Sequence, residues 1–414
     1  MAHSNISLLG LDWILIFSWI AFLLWSAVLV FYLISIAYSK LHLHRPLKED
    51  AEKGLDMPGV SIVKPLNGLA DPNLVDNLTT YFTLNYPKYE LLFCIQDSED
   101  HELIKVLNGL FAKYPQVDAK LFKGAQNVGV NPKVNNMMNG YEAAQYPLFL
   151  ISDAGVRMSE DSLTDMVLHM TEKVGLVHQL PMMLDGELTF SRVLEKVYFG
   201  GAHARVYVSA NAVGINCMTS MSCLFRKKIL DEEGGLESLS SYLGEDFFLA
   251  QLINNKGWRV VLSSQPAQQN PGLTSLSGFK ARMSRWTYLR WAAMPQLILL
   301  EPLTEHAILG PIAALAVQYL FAIPIYISLP AHFLCWCIMD YILASVLENH
   351  WPRYSIFSHV KAWVFRELLI LYLLPTVISM RHVSWGGSRF RIRFGGRTEK
   401  IVNGDSHSHR IINI

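Results

Sequence analysis

Residues 13–37 read WILIFSWIAFLLWSAVLVFYLISIA, 25 residues without a single charge. As a helix this stretch extends about 37 Å, more than the roughly 30 Å of hydrocarbon in a bilayer. It is longer than the apolar part of a secretory leader, and no small-residue cleavage motif follows it, so it reads as an uncleaved membrane anchor. Asp12 precedes it, and Lys40, Arg45 and Lys48 follow it. By the positive-inside rule, residues 1–12 then form a short extracytosolic tail, and the chain from residue 38 onward lies in the cytosol.

A second apolar region begins near residue 307. Between Ala307 and Met339 there is no Asp, Glu, Lys or Arg, and Pro324 and Pro330 interrupt the run. It reads as two close-packed helices, with Asp340 near the end of the second. A third segment, 360–380, carries Arg366 and Glu367. Charge in hydrocarbon is costly unless paired; these two could pair, or the segment could be interfacial or re-entrant. Membrane helices are thus expected within 307–380. The stretch 381–400 holds six basic residues and one acidic residue, so 381–414 reads as a basic cytosolic tail. A cytosolic body and a cytosolic tail require an even number of crossings between them: two full spans and one re-entrant segment. The sequence leaves open which segment fails to cross.

Residues 38–290 hold most of the charge and read as one cytosolic domain. Over the whole chain 35 basic residues balance 35 acidic ones. That balance excludes a nucleic-acid binder that works by displacing counterions. Five cysteines show neither zinc spacing nor a disulfide framework. Short apolar strands are expected at 59–65, 89–95, 118–122 and 148–152, with helices at about 71–83, 101–113 and 133–145. Continuous apolar strands alternating with helices predict a mostly parallel sheet covered on both faces. Ligands of such folds bind at the carboxyl ends of strands.

Asp97 and Asp153 follow two of those ends, 56 residues apart. Asp after a strand is also a common turn or cap residue, and Asp100 can cap the helix starting near His101. There is no GxGxxG after the first strand and no GxxxxGK[ST], which disfavours a dinucleotide site and a P-loop. Lys133, in a polar turn ahead of a helix, suits either a phosphate at a helix N-terminus or a solvated loop. Glu245 and Asp246 open an apolar helix before Phe247 and Phe248. They could serve the helix dipole, or one of them could be a carboxylate held against aromatic rings and used as a base. Arg282, Arg285 and Trp286 lie on a helix with Arg290, expected within an interfacial helix over 279–300. That pattern fits basic residues at lipid headgroups, a diphosphate site, or both.

In this order the features resemble the membrane-bound inverting glycosyltransferases with the α/β nucleotide-sugar fold called GT-A. That family carries three aspartates and a Gln/Arg-x-x-Arg-Trp motif. Within it the ceramide glucosyltransferases are similar through runs such as PGVSIVKPLNG (58–68), YPKYELLFCIQD (86–97), NPKVNNMMNGYEAA (131–144), EDFFLAQ (245–251) and RMSRWTYLR (282–290). The resemblance spans residues 15–402. It implies a GT-A domain between an N-terminal anchor and C-terminal transmembrane or re-entrant helices. It implies inverting transfer of glucose from UDP-glucose to ceramide's primary hydroxyl, in the Golgi. Asp97 or Asp100 would hold the uridine end. Asp153 would face the diphosphate and a divalent ion, Mg²⁺ or Mn²⁺. Asp246 would be the base, with Glu245 beside it. Arg285 and Trp286 would close over diphosphate and acceptor, with Lys133 and Arg282 on the donor side. His203 matches a histidine near the donor site, or is a surface histidine beside Gly200 and Gly201. One departure from the pattern is Asp153-Ala154-Gly155, where many metal-dependent relatives have Asp-x-Asp; it predicts modest metal affinity. The competing readings are a membrane glycosyltransferase with another lipid or polysaccharide acceptor, and a non-enzymatic membrane-anchored scaffold.

Overall fold

The computed structural model describes residues 12–45, 57–219, 221–272 and 274–401. Residues 1–11, Lys48 and 402–414, on which parts of the topology reading fall, lie outside that range. The chain is a mixed α/β domain flanked by an N-terminal apolar helix and, after the body, two long apolar helices.

The anchor is one helix, Trp13–His42, capped by Asp12, whose Oδ1 accepts the N–H of Ile14 and of Leu15 at 3.1 Å. Its faces are inverted relative to a soluble helix: Phe17, Ile20, Leu23 and Leu33 are exposed, while Ser18, Tyr32, Ser35 and Ser39 are buried. Lipid tails are as apolar as leucine, so small and polar side chains pack inward, where close approach and hydrogen bonding reward them. Ser35 Oγ, for example, donates to the carbonyl of Arg205 at 3.0 Å.

The body contributes strands β1 (Val60–Leu66), β2 (Tyr89–Ile95), β3 (Asp118–Lys123), β4 (Leu148–Ser152), β5 (Val156–Arg157), β6 (Val174–His178), β7 (Pro181–Met183), β8 (Ser222–Arg226), β9 (Arg259–Leu262) and β10 (Ala267–Gln269). After the membrane helices come β11 (Val383–Trp385), β12 (Ser388–Ile392) and β13 (Thr398–Ile401). The main sheet has the order β3-β2-β1-β4-β8-β6-β9. Its first four strands are parallel; β1, β2 and β4 are almost continuously buried, as a parallel sheet covered on both faces requires, while β3 is the part-exposed edge. β8 runs antiparallel to both neighbours and makes the sheet mixed. From β1 the chain winds outward to β2 and β3, then returns to lay β4 on the other side of β1. Crevices form at the carboxyl ends of strands where the winding reverses, which here means beside Leu66, Gln96 and Asp153.

A helical stretch that the hydropathy pattern does not reveal joins body to membrane. It runs through Phe190–Val197, a π-type turn Tyr198–His203, and Ala204–Ala212. Its Val193, Leu194, Val197 and Val208 share one core with Tyr32 of the anchor, Phe279 and Met283 of the body, and Trp336 and Trp363 of the C-terminal helices. Its polar residues Lys196, His203 and Arg205 are buried against other helices rather than solvated. That inverts the amphipathic signature by which a surface helix is normally recognised.

The C-terminal helices Ile325–Glu348 and Ile356–Ser379 are both long and apolar enough to cross a membrane. The preceding pair, Leu297–Thr304 and His306–Phe321, is bent by 71°. The segment that is too short to span unaided is therefore the first, and 360–380, the poorest candidate by charge, lies but for its last residue in the 24-residue helix Ile356–Ser379. The reason is a third partner. Arg366 pairs with Glu367 and also, at 2.6 Å, with Asp340 of the neighbouring helix. Asp340 accepts further bonds from Tyr32 and, at 2.7 Å, from Trp363 Nε1. The expected 279–300 helix is likewise two pieces, Leu276–Ala293 and Leu297–Leu300, broken at Pro295. Glu301 braces the corner through Arg290 and through Trp291 Nε1 at 2.8 Å.

Within the stretch expected to be a basic tail, residues 383–401 fold as the antiparallel sheet β11-β12-β13. Val383, Phe390 and Ile392 pack on Leu243, Tyr288 and Leu289, and Thr398 N–H donates to Ser241 O at 2.9 Å. This contact puts the C-terminal sheet and the α/β body on one side of any membrane. An even number of crossings therefore separates them, a number the two long helices are long and apolar enough to make.

Candidate active site

Asn131 caps the helix Pro132–Ala143, its Oδ1 accepting the N–H groups of Lys133 and Val134. That cap fixes Lys133 in the first turn, beside the end of β4. Lys133 Nζ lies 2.9 Å from Asp153 Oδ1 and 3.1 Å from Glu245 Oε1. The other oxygen of Glu245 accepts Asn131 Nδ2 at 3.0 Å. Burial by itself would depress this ammonium, but the two carboxylates outweigh it and hold Lys133 well above the ordinary lysine value. Three residues widely separated in sequence thus form one charged cluster with one more acid than base.

Asp246 follows Glu245 in the first turn of the helix Glu245–Asn255 and is half-buried. It belongs to the same electrostatic neighbourhood: the thiol of Cys223 on β8, raised to about 12 chiefly by burial, also feels Lys133, Asp246, Asp153 and Glu245. Tyr207, raised mainly by burial, feels the charges of both Arg290 and Asp246.

On that helix Arg282 pairs with Glu195 at 2.6 Å and stacks over the rings of Phe199 and Trp286. Arg285 is half-buried and has no acidic partner among the described residues; burial, then the charge of Arg282, lowers its pKa. Arginine stays charged regardless, so Arg285 is a cation poised for an anion. His203 is buried, not a surface residue. It lies in a nest of Tyr198, Phe199, Tyr207 and Trp286 with ring centroids 4.6–6.5 Å away. Burial first, then the cations Arg290 and Arg282, push its pKa down to about 3, so it is a neutral ring at physiological pH.

Asp97 is exposed just past β2, its Oδ1 accepting the N–H of Glu99. Asp100 caps the helix His101–Lys113 through the N–H of Leu103 at 3.1 Å. Neither has an ion pair with the Lys133 cluster. Two further residues bear on the site. Lys64, fully buried in β1, donates to Asp153 O at 2.6 Å and lies 4.0 Å from the centroid of Tyr81. Burial lowers its pKa to about 7 against the pull of Asp153. The one charged residue in the apolar run of β1 was the available signal for it. Asn136 donates to both Leu66 O and Cys94 O at 3.2 Å, tying together the ends of β1 and β2.

Among the described residues no three His, Cys, Asp or Glu side chains are placed to hold a metal. Asp153 is a single half-exposed carboxylate already paired with Lys133. These residues fit a divalent ion only in the manner of Mg²⁺ sites built from one or two carboxylates plus substrate phosphates.

Comparison with known proteins gives the class: the chain is a membrane-bound glycosyltransferase. Residues 27–398 match the family Glycosyl transferase family 21, and the chain belongs to that family. Ceramide glucosyltransferase 3 of Caenorhabditis elegans is 39% identical over 368 residues, covering 88% of this chain and 79% of that protein. Ceramide glucosyltransferase 1 of the same nematode is 36% identical over 374 residues, covering 90% and 79%. Among solved structures, the mannosyltransferase PcManGT from Pyrobaculum calidifontis, in complex with GDP-Man and Mn²⁺, aligns with a TM-score of 0.47 and 15% identity over 87% of this chain and 96% of that one.

Proposed function

We propose that the α/β body is a GT-A domain that transfers glucose from UDP-glucose to the primary hydroxyl of ceramide, with inversion, giving β-glucosylceramide and UDP. The observation that carries this reading is the convergence of Lys133, Asp153 and Glu245 at the strand ends, with Asp246 beside them. Its relatives' names supply the sugar and the acceptor.

In this mechanism Asp97, or Asp100 at its cap, receives the uridine end. The diphosphate draws Lys133 from its carboxylates and meets Arg285; a divalent ion entering with the donor would sit at Asp153 and help neutralise the phosphates. Arg282, already committed to Glu195, keeps Trp286 and Phe199 packed. Asp246 accepts the proton of the acceptor hydroxyl as oxygen attacks the anomeric carbon opposite the departing UDP. The hydroxyl oxygen forms one bond to that carbon as the carbon–phosphate-oxygen bond breaks, so no covalent intermediate is needed. Cations fixed where charge develops on the leaving group are the main source of acceleration in such sites. The continuous core between body and membrane helices suits an acceptor whose two chains stay in the bilayer.

The test is product identification: purified protein in detergent with mixed lipids, supplied with labelled UDP-glucose or UDP-galactose. Glucosylceramide from UDP-glucose is the expected product. A different glycolipid would keep the fold reading and change the acceptor, and absence of any UDP binding would leave a scaffold.

Two expectations follow from this assignment. Asp153→Asn keeps shape but removes the charge 2.9 Å from Lys133. It should weaken turnover strongly in a folded protein and shift the Mg²⁺ and Mn²⁺ dependence of UDP binding, read by titrating both ions; identical affinity and metal response would remove Asp153 from the site. The orientation rests on the charge asymmetry about the anchor. A protease site near residue 55 and another after residue 400 should both be cut in sealed Golgi-derived microsomes. A protected first site would reverse the anchor, and protection of only the second would contradict the even number of crossings.

A further inference from the structure

The sheet β11-β12-β13 has two ends with different neighbours. In register, Val383 faces Phe390, Trp385 faces Ser388, and Ile392 faces Thr398. Arg381, Val383 and the turn 393–397 therefore share one end, and the turn at Gly386 and Gly387 makes the other. The second end approaches the site, since a Cβ on Gly386 would lie 3.9 Å from Pro132, the neighbour of Lys133. The first end also packs on the body, through Gly396 against Phe248 and a bridge from Arg397 to Tyr242, and it is tied to the membrane helices from two directions. Val383 comes four residues after the helix Ile356–Ser379 ends, a reach of at most about 14 Å. Gly395 N–H donates to Ala292 O at 2.9 Å, just ahead of the corner where the chain turns into Leu297–Thr304.

At that end the protein presents Phe394, 85% exposed, the most exposed large apolar residue among those described. Arg391 on β12, Arg393 and Arg397 in the same turn, and Arg381 just ahead of β11 lie toward this end and are exposed. Arg393 pairs with Glu399 at 2.8 Å, whereas Arg381, Arg391 and Arg397 have no ion pair among the described residues. Arg391 lies opposite Glu399 in register, so four guanidinium groups share one carboxylate; an aromatic ring with such a cationic excess, close along the chain to membrane helices, has the composition of an interfacial anchor. We propose that the 390–397 hairpin is a lipid-contacting wedge: Phe394 enters the headgroup–acyl boundary of the leaflet on the body's side, and Arg381, Arg391 and Arg397 engage anionic phospholipid headgroups. The wedge is independent of which sugar or acceptor the site uses. Because the same sheet holds Ser241 and Leu243, just ahead of Glu245, anchoring its membrane end also steadies the start of the site helix.

The test uses the full chain reconstituted in vesicles of phosphatidylcholine alone or of phosphatidylcholine with phosphatidylserine. An environment-sensitive fluorophore is attached through Phe394→Cys or, at the opposite end of the sheet, Ser388→Cys, with the unsubstituted protein labelled in parallel as background. Acyl-brominated lipid should quench the label at 394 and not that at 388. Quenching should be stronger in the anionic vesicles and fall with added salt. Replacing Arg391 and Arg397 by Gln should remove the anionic enhancement, each arginine near such a surface being worth about five-fold in local affinity. No quenching at 394, equal quenching at both positions, or quenching indifferent to lipid charge would overturn the proposal. So would loss of the effect on adding soluble glycerophosphoserine, which would mark a site for a free anion rather than a lipid surface.

Discussion

Asp246→Asn is expected to lower glucosylceramide formation by at least about 100-fold while UDP affinity stays within a few-fold, because a general base contributes roughly 10²–10⁴ in rate. That range is about 3–5 kcal/mol of barrier. A carboxylate that only complements the helix dipole is worth about 0.3–1 kcal/mol of stability and nothing in rate, so the two roles differ by orders of magnitude. The neighbouring substitution separates them further. Glu245 is committed to Lys133 at 3.1 Å and to Asn131 at 3.0 Å, and Asp246 projects about 100° away around the same turn. Glu245→Gln can keep the bond from Asn131 but loses the charge that holds Lys133, so its effect should fall mainly on donor affinity. Initial rates at saturating ceramide, with UDP affinity by calorimetry, decide between the three proteins. Near-normal turnover of the Asp246 variant would falsify its assignment as base. A dead Glu245 variant beside an active Asp246 variant would move the role back by one residue.

The parallel half of the fold was legible because β1, β2 and β4 are largely apolar runs closed within two residues by Pro, Gly or Asp, and the helices His101–Lys113 and Pro132–Ala143 each open on a side-chain cap. His101–Lys113 and Tyr89–Ile95 coincide with the segments expected from sequence. β6, β8 and β9 were not legible: their order in the sheet is fixed by contacts across the fold rather than by local pattern. The site residues were legible one at a time and their grouping was not. Nothing in a sequence says that Lys133 will sit between Asp153 and Glu245 rather than face water, since that distance is set by the reversal of winding between β1 and β4. The same holds for Phe190–Val197 and Ala204–Ala212, whose polar residues face protein, and for the C-terminal sheet, whose arginines lie at exposed positions while alternate apolar residues pack on the body.

Removing the cation from the membrane cluster has the largest expected effect on stability. The side chains of Arg366, Asp340 and Glu367 are 4%, 1% and 4% exposed. Arg366→Met would leave two carboxylates facing each other in a medium of low dielectric, and breaking a buried pair this way costs about 3–5 kcal/mol. That penalty comes from the charges left behind, so it should be largely relieved by removing them too. The triple variant Arg366→Met, Asp340→Asn, Glu367→Gln is therefore expected to recover most of the thermal stability in detergent that the single variant loses. The amide introduced at position 340 can keep its carbonyl on Trp363 Nε1, where one oxygen of Asp340 accepts now, and turn its amino group to Tyr32, whose hydroxyl then accepts instead of donating to the other oxygen. A single variant as stable as wild type, or a triple variant no better than the single, would refute the account. Activity should follow a different course. Arg366 Nη1 also donates to Val197 O at 3.3 Å, and a Cβ on Gly201 would come within 2.6 Å of that same nitrogen. The cluster thereby seats the π-type turn that carries His203 beneath Trp286. A triple variant restored in stability but still slow, with acceptor KM raised more than donor KM, is the expected outcome if the membrane cluster holds the acceptor side of the site in place. Stability and both constants returning together would assign the cluster to folding alone.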